Sequence, residues 1–182
     1  AKPVFWNVED DLTYSIQSFE NVIGPQTKAV IVVHMDGICN IHQSLFQLAE
    51  KKKILVIEDC AQSMGGFTSD FKSGVNGSIA CYSLNQDKII STGEGGIVSL
   101  NNSSDISKTL ALHDVCCQLG PTFRDDFNER KYLGISARVS ELTAGFAISQ
   151  LDKLDDLIDE LKKKKQILIE RIADEFSEGS IL

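Results

Sequence analysis

Residues 29–33 read AVIVV, and this short run decides the fold class. It is apolar without interruption and mostly β-branched, a pattern typical of a parallel strand that is buried on both faces. A second run of this kind covers residues 54–57 (ILVI) and stops at Glu58. Between them, apolar residues recur at helical spacing over residues 41–52. Strand, helix and strand in this order predict a βαβ unit with a parallel pair of strands.

The rest of the chain adds further predicted strands and helices to this unit. Apolar runs at residues 79–84 and 96–100 predict two further strands, and a helix is predicted over residues 105–112. From residue 140 to 176, apolar residues spaced by three and four predict one or two long helices. The Lys162 to Lys165 run lies near their middle, and neighbouring acidic residues favour a solvated helix face over a basic docking site.

Composition limits the function classes. The 182 residues carry 18 Lys and Arg against 26 Asp and Glu, a formal net charge of −8, which argues against a nucleic-acid partner. No apolar run approaches the roughly 20 residues that span a bilayer, so we expect no membrane insertion. Five cysteines without a CxxC pair or a secretory leader favour reduced thiols and a cytoplasmic location, and we expect no zinc site.

Polar residues follow three of the predicted strands at the point where each run ends. His34 follows the first, Glu58 and Asp59 follow the second, and Asn85 to Lys88 follow the third. Because ligands of open α/β sheets bind beyond the carboxyl ends of the strands, this edge is the predicted site. A lysine amine such as that of Lys88 can form a Schiff base with an aldehyde, provided that its pKa is lowered.

A cofactor aldehyde held by Lys88 would need two further kinds of group. Asp59 could pair with a ring nitrogen, and Ser83 could donate to a phosphate. Each residue taken singly also has an ordinary interpretation. A lysine after a strand is usually a surface residue, and an aspartate there is usually a turn or cap. The glycines of residues 92–96 (TGEGG) could merely permit a tight turn before the next strand.

Together these segments resemble the DegT/DnrJ/EryC1/StrS family of pyridoxal-phosphate (PLP)-dependent sugar aminotransferases. The resemblance is carried by residues 58–62 (EDCAQ), by Cys81-Tyr82-Ser83 with Lys88 five residues after the serine, and by residues 92–96. Further matching segments, in the family's order, are residues 32–37 (VVHMDG), 138–142 (RVSEL) and 150–154 (QLDKL). Gly134 to Arg138 departs from the family pattern, because Ser136 stands where an asparagine is usual.

The resemblance implies the α/β fold of the PLP-dependent type I aminotransferase large domain, with a three-layer, mainly parallel sheet. Complete family members extend beyond both ends of this chain, so the domain is expected to be incomplete. Residues 1–138 are then a partial PLP-binding large domain. Residues 139–182 form a long C-terminal helix that leads toward a small domain.

The resemblance also implies roles for four residues. Lys88 matches the lysine that holds the cofactor covalently and then moves the proton during transfer. Asp59 matches the carboxylate that pairs with the protonated pyridine nitrogen, and Gln62 matches the glutamine that contacts the ring oxygen. Ser83 matches the hydroxyl donor to the cofactor phosphate. Lysine rather than histidine at position 88 points to transamination, since relatives with histidine there resemble dehydratases.

The sequence is compatible with three functions. The first is a PLP-dependent transaminase that moves an amino group, expected to come from glutamate, to a nucleotide-linked keto-sugar, with the protein as a homodimer. The second is a truncated, inactive domain that does not bind the cofactor on its own. The third keeps PLP but aminates a cyclic polyol ketone.

The remaining reactive or aromatic residues are assigned structural roles. The histidines at positions 34, 42 and 113 show no metal-ligand spacing and no carboxylate pattern around them, so structural or surface roles are expected. Cys60 is predicted to be a small packed residue. Phe5 and Trp6 are predicted to lie in the core, and Arg138 is as compatible with a structural role as with substrate orientation.

Overall fold

A computed structural model describes residues 1–39, 42–68, 71–115 and 134–175. Four strands form one sheet in the order β1 (Ala29–Val33), β2 (Leu55–Asp59), β3 (Ile79–Ser83) and β4 (Gly96–Leu100). Strands β1, β2 and β3 are parallel to one another, and β4 runs antiparallel to β3. The predicted α/β fold with a mainly parallel sheet is therefore confirmed.

Five α-helices accompany the sheet in the described residues. They are α1 (Ile16–Val22), α2 (Gln43–Lys52), α3 (Ile106–His113), α4 (Glu141–Leu151) and α5 (Leu154–Glu175). Two short 3-10 helices cover Met35–Gly37 and Ser103–Asp105. None of the helices in this part of the chain is long and apolar enough to cross a membrane.

The helical segment predicted over residues 140–176 is two helices, α4 and α5, separated by a turn at Asp152 and Lys153. Ser140 caps the first, since its hydroxyl accepts a hydrogen bond from the Thr143 amide at 3.1 Å. Both helices contact the earlier part of the chain. Ala147 of α4 packs with Leu84 and Ile90, Leu154 of α5 packs against the same cluster, and Ile158 of α5 lies against Gly65. Residues 176–182 of the predicted helical region lie outside the described residues.

The core lies on one face of the sheet. Val30 and Val32 of β1 and Val56 of β2 are buried there against Leu45 and Ala49 of α2. Tyr14 and Phe19 belong to this buried cluster, and the partly buried Trp6 packs against both of their rings. The prediction of Trp6 as a core residue is therefore confirmed. The same prediction for Phe5 is wrong, because its side chain is 87% exposed.

The opposite face of the sheet is open in the part of the chain that the structure describes. Ile31, Leu55 and Val98 point to it and are each more than half exposed. The prediction that β1 and β2 are buried on both faces is therefore wrong for the described residues. Parallel sheets usually have both faces covered, so this face is where the chain departs from a closed α/β core.

Candidate active site

Asp59 and Ser83 lie on the same face of the sheet at the carboxyl end of neighbouring strands. Asp59 is paired in register with Cys81, and Ser83 follows two residues further along β3. Residues two apart on a strand share a face, so both side chains belong to the open face. Both are half-buried. Burial raises the pKa of the Cys81 thiol, and the charge of Asp59 raises it further, as expected for a carboxylate beside it.

The Asp59 carboxylate is fixed by the turn that follows β2. Its Oδ1 accepts a hydrogen bond from the Ala61 amide at 3.1 Å. The Asp59 carbonyl accepts from the His34 amide at 3.0 Å, which ties the end of β1 to the end of β2. The carboxylate is thus held at the carboxyl end of β2 while its side chain remains partly accessible. This is a suitable position for pairing with a cationic ring nitrogen.

Gln62 belongs to the same turn and is exposed. Its Oε1 accepts a hydrogen bond from the Asp36 amide at 2.8 Å. Asp36 has a φ of 54°, so this bond supports a left-handed backbone conformation that non-glycine residues seldom adopt. Because only the oxygen is used by this bond, the amide hydrogens of Gln62 can donate to a ligand oxygen.

Ser83 is the last residue of β3, and Lys88 lies in the loop between β3 and β4. The Ser83 Oγ accepts from the Asn85 amide at 3.2 Å, which leaves its hydroxyl hydrogen available as a donor. Lys88 is half-buried, and its backbone amide donates to the Asn85 carbonyl at 3.1 Å. Gly93 and Gly95 have φ values of 81° and 145°, so the TGEGG segment does form a turn that only glycine adopts readily.

A second polar cluster lies on the buried face, one residue before Asp59. The Glu58 carboxylate accepts from His34 Nε2 at 3.0 Å and from the amides of Gly74 at 2.8 Å, Asn76 at 2.8 Å and Gly77 at 2.5 Å. Burial opposes ionisation, but these hydrogen bonds outweigh it, so the pKa of Glu58 lies below its usual range. Glu58 therefore anchors the loop before β3.

The expectation that the histidines lack a carboxylate neighbour is wrong for His34, which is fully buried against Glu58. The spacing of 24 residues along the chain gave no local signal for this pair. His113 has a structural contact, since its Nδ1 lies 2.6 Å from the Leu110 carbonyl oxygen. His42 lies at the N-cap position of α2.

Cys60 completes this buried cluster. Its sulfur lies within 4.8 Å of ligand atoms of His34 and Glu58, and all three side chains are buried. However, Glu58 already accepts four hydrogen bonds, and burial raises the pKa of the Cys60 thiol to about 12. These properties describe a neutral thiol packed beside a hydrogen-bonded carboxylate. The prediction of Cys60 as a small packed residue is confirmed by its complete burial.

Two side chains from the C-terminal third contact earlier parts of the chain. Arg138 Nε lies 2.8 Å from Asp114 Oδ1, an ion pair that gives Arg138 a structural contact. Gln150 of α4 hydrogen-bonds both backbone groups of Ser91, three residues after Lys88. In the sequence, Gln150 stands out only as part of the QLDKL segment. Its contact with Ser91 was not predicted, because a contact across 59 residues leaves no local pattern. Ser136 is exposed, and its backbone forms an isolated antiparallel β-bridge with Asp114.

The residues at the sheet edge fit a PLP group in their chemistry. Asp59 offers an anion, Ser83 and Gln62 offer unused donor hydrogens, and Lys88 offers an amine in a loop closed by hydrogen bonds. The strand register places the anion and the hydroxyl on one face. These are the groups that a protonated pyridine ring, its oxygen and its phosphate require.

The fold is that of α/β proteins with a mainly parallel sheet, in which ligands bind beyond the carboxyl ends of the strands. A sequence model of the DegT/DnrJ/EryC1/StrS aminotransferase family matches residues 1–179, and the chain belongs to this family. The resemblance seen in the motifs is thus confirmed.

Individual relatives agree with this assignment. The chain is 33% identical over 169 residues to GDP-perosamine synthase of Vibrio cholerae, covering 92% of this chain and 44% of the relative. It is 28% identical to L-glutamine:2-deoxy-scyllo-inosose aminotransferase of Streptomyces paromomycinus, with 96% and 43% covered. The solved aminotransferase of Psychrobacter cryohalolentis superposes with a TM-score of 0.75 at 31% identity, with 86% and 41% covered. The chain therefore spans less than half the length of these relatives.

Proposed function

We propose that this chain is the cofactor-attachment part of a PLP-dependent transaminase that aminates a nucleotide-linked keto-sugar, with glutamate as amino donor. The observation that carries the proposal is the placement of Asp59 and Ser83 on one face of adjacent strands, with Lys88 in the loop that follows. PLP, when bound, supplies the electron sink for amino transfer.

Each of the four residues has a defined task in this proposal. Lys88 would bind the cofactor covalently and afterwards move a proton with its amine. Asp59 would hold the ring nitrogen in its protonated state, since an anion at this position favours the cation. Ser83 would donate its hydroxyl hydrogen to the phosphate, and Gln62 would donate its amide hydrogen to the ring oxygen.

The nucleotide-linked sugar is supported by the name of the Vibrio cholerae relative, a GDP-perosamine synthase. A cyclic polyol ketone is the second candidate, supported by the name of the Streptomyces relative, which acts on 2-deoxy-scyllo-inosose and uses L-glutamine. Since the chain covers less than half of either relative, substrate and amino donor are to be compared on a longer protein that contains this chain.

The cellular setting and the organisation of the chain are part of the proposal. A cytoplasmic location is supported by the free thiols of Cys39, Cys60 and Cys81. A homodimer is supported by the family resemblance. We also propose a partial large domain over residues 1–138 and a helical connection toward a small domain over residues 139–182. The family resemblance supports this division.

A truncated domain without activity is the alternative for this chain taken alone. The exposed apolar side chains of Ile31, Leu55 and Val98 favour it, because the face that carries Asp59 is open over several strands. An open face leaves water free to compete for the polar groups that would hold a cofactor.

The test uses two proteins, this chain and a longer protein that contains it and has the length of the relatives. Each is supplied with PLP, with glutamate or glutamine, and with either a GDP-linked keto-sugar or a cyclitol ketone. Mass spectrometry detects the aminated product. We expect amination of the nucleotide sugar by the longer protein, and loss of the product on Lys88→Ala but not on Lys153→Ala, an exposed lysine between α4 and α5. Amination of the cyclitol alone would favour the second candidate. Unchanged product formation by Lys88→Ala would refute the role of Lys88.

A further inference from the structure

Gln150 makes two hydrogen bonds to the backbone of a single residue, Ser91. Its Nε2 donates to the Ser91 carbonyl at 2.5 Å, and its Oε1 accepts from the Ser91 amide at 3.2 Å. Both residues are half-buried. A side-chain amide that bonds both groups of one residue fixes the position and the direction of that peptide segment. The contact connects α4 to the loop between β3 and β4.

Lys88 lies in this loop between fixed points. On its N-terminal side, the Leu84 amide donates to the Gly95 carbonyl at 3.0 Å, and on its C-terminal side the Thr92 amide donates to the Leu84 carbonyl at 2.9 Å. Ile90 is 1% exposed and packs against Leu84 and Ala147. The loop is therefore closed at its base, and its C-terminal arm is held down by a buried isoleucine and by Gln150.

The Gln150 contact acts on the C-terminal arm of the loop that carries Lys88. If Gln150 were removed, the half-buried amide and carbonyl of Ser91 would lose their hydrogen-bond partners. Such groups favour a conformation in which water reaches them. The loop could then rotate about residues 89–91 while Ile90 stayed in the core. Rotation there would change the direction of Lys88 without unfolding α4.

We infer that Gln150 is a positioning residue, which holds the C-terminal arm of this loop in one conformation and thereby fixes the position and surroundings of Lys88. The meaning of this for catalysis rests on the function proposed above. The effect on loop conformation and on the amine itself does not, so the two can be tested separately.

The test compares Gln150→Met and Gln150→Glu in the complete chain without PLP. Methionine has a similar length and makes neither bond, whereas glutamate can accept from the Ser91 amide but cannot donate to the Ser91 carbonyl. Gln166→Met is the matched control, since Gln166 lies on the exposed surface of α5 and its Nε2 donates to Glu170 at 2.8 Å.

Two measurements are made on each variant. Hydrogen exchange followed by mass spectrometry reports the opening of residues 84–96, and we expect about tenfold faster exchange of the Ser91 amide in Gln150→Met. Acetylation by acetic anhydride reports the surroundings of the Lys88 amine relative to exposed Lys153. We expect this ratio to change in Gln150→Met, to change less in Gln150→Glu, and to stay unchanged in Gln166→Met.

A purely structural role of Gln150 would lower the unfolding temperature without altering the Lys88 ratio. Unchanged exchange of residues 84–96 in folded Gln150→Met would overturn the inference, as would faster exchange with an unaltered Lys88 ratio. If Gln150→Met does not fold, the same two measurements on Gln150→Glu decide the inference. A chain that takes up no PLP would refute cofactor attachment, while exchange and acetylation would still decide the role of Gln150.

Discussion

Glu58 and Asp59 are neighbours in sequence, yet the two faces of β2 give them opposite surroundings. Glu58 is fully buried, and its oxygens accept four hydrogen bonds from His34 and the loop before β3. Asp59 is half-buried on the open face, where Oδ1 accepts from the Ala61 amide. The alternation of a strand thus separates a carboxylate that stabilises the fold from one that is available for chemistry.

This comparison extends to the whole sheet. The face of Glu58 also carries Val32 and Ala80, both buried. The face of Asp59 also carries Ser83 and the exposed Ile31 and Leu55. We therefore expect substitutions on the first face to change stability, and substitutions on the second to change cofactor chemistry.

Asp59→Asn is expected to have the largest effect. In a full-length protein containing this chain, it should slow transamination by about a hundredfold or more, because a neutral amide does not keep the ring nitrogen protonated. The free energy of unfolding should change by less than about 1 kcal/mol, since the bond to the Ala61 amide can be kept by the amide oxygen. Steady-state kinetics and urea unfolding measure the two quantities. Near-normal turnover would refute the role of Asp59.

Glu58→Gln should show the reverse pattern. The amide cannot accept all four bonds and places its own donors against buried donors, so the free energy of unfolding should fall by about 2–4 kcal/mol. Urea unfolding measures this loss. Glu50→Gln, at an exposed position of α2, is the matched control and should stay within about 0.5 kcal/mol. A loss of the same small size in both variants would mean that Glu58 does not anchor the loop.

The pH dependence of stability provides a finer test of the same difference. Because the folded-state pKa of Glu58 lies below its usual range, its ionised form stabilises the fold at neutral pH, and this stabilisation is lost as the pH falls through the folded-state value. Urea midpoints measured from pH 7 downward should therefore converge for the natural protein and Glu58→Gln. A constant gap between the two across this range would contradict the assignment.

The smallest expected effect concerns the contact between α5 and the segment after β2. Lys162 Nζ lies 3.7 Å from the ring centroid of Phe67, a cation–π contact at a partly exposed position. Lys162→Met should lower the free energy of unfolding by about 0.5–1 kcal/mol, and Lys163→Met on the same exposed helix should not. Thermal unfolding of both variants measures the difference, and equal values would remove the contact from the account.

The sequence predicted the strands well because each is a short apolar run, and the predicted run at residues 96–100 coincides with β4. It also predicted Asp59, Ser83 and Lys88 at one edge of the sheet, where the structure has Asp59 and Ser83 on one face and Lys88 in the loop after β3. It did not predict the donors to Glu58, which lie 16 to 24 residues away, or the Gln150 contact with Ser91. Neither contact leaves a periodic pattern, since both depend on how separate elements pack.

Two other differences between the predicted and the observed structure have physical causes. Helix α1 was not predicted, because its seven residues are too few for the apolar spacing to stand out from the surrounding sequence. The exposure of Ile31 and Leu55 could not be predicted from their apolar character, because a continuous apolar run indicates that two faces can be buried, not that both are covered.

The attachment of PLP at Lys88 is tested most directly by incubating the chain with PLP, reducing with borohydride and locating the modified lysine by peptide mass spectrometry. The account predicts a pyridoxyl group on Lys88 and its disappearance in Lys88→Ala, with Lys153→Ala labelled as the natural protein is. A label on another lysine, with Lys88 unmodified, would contradict it.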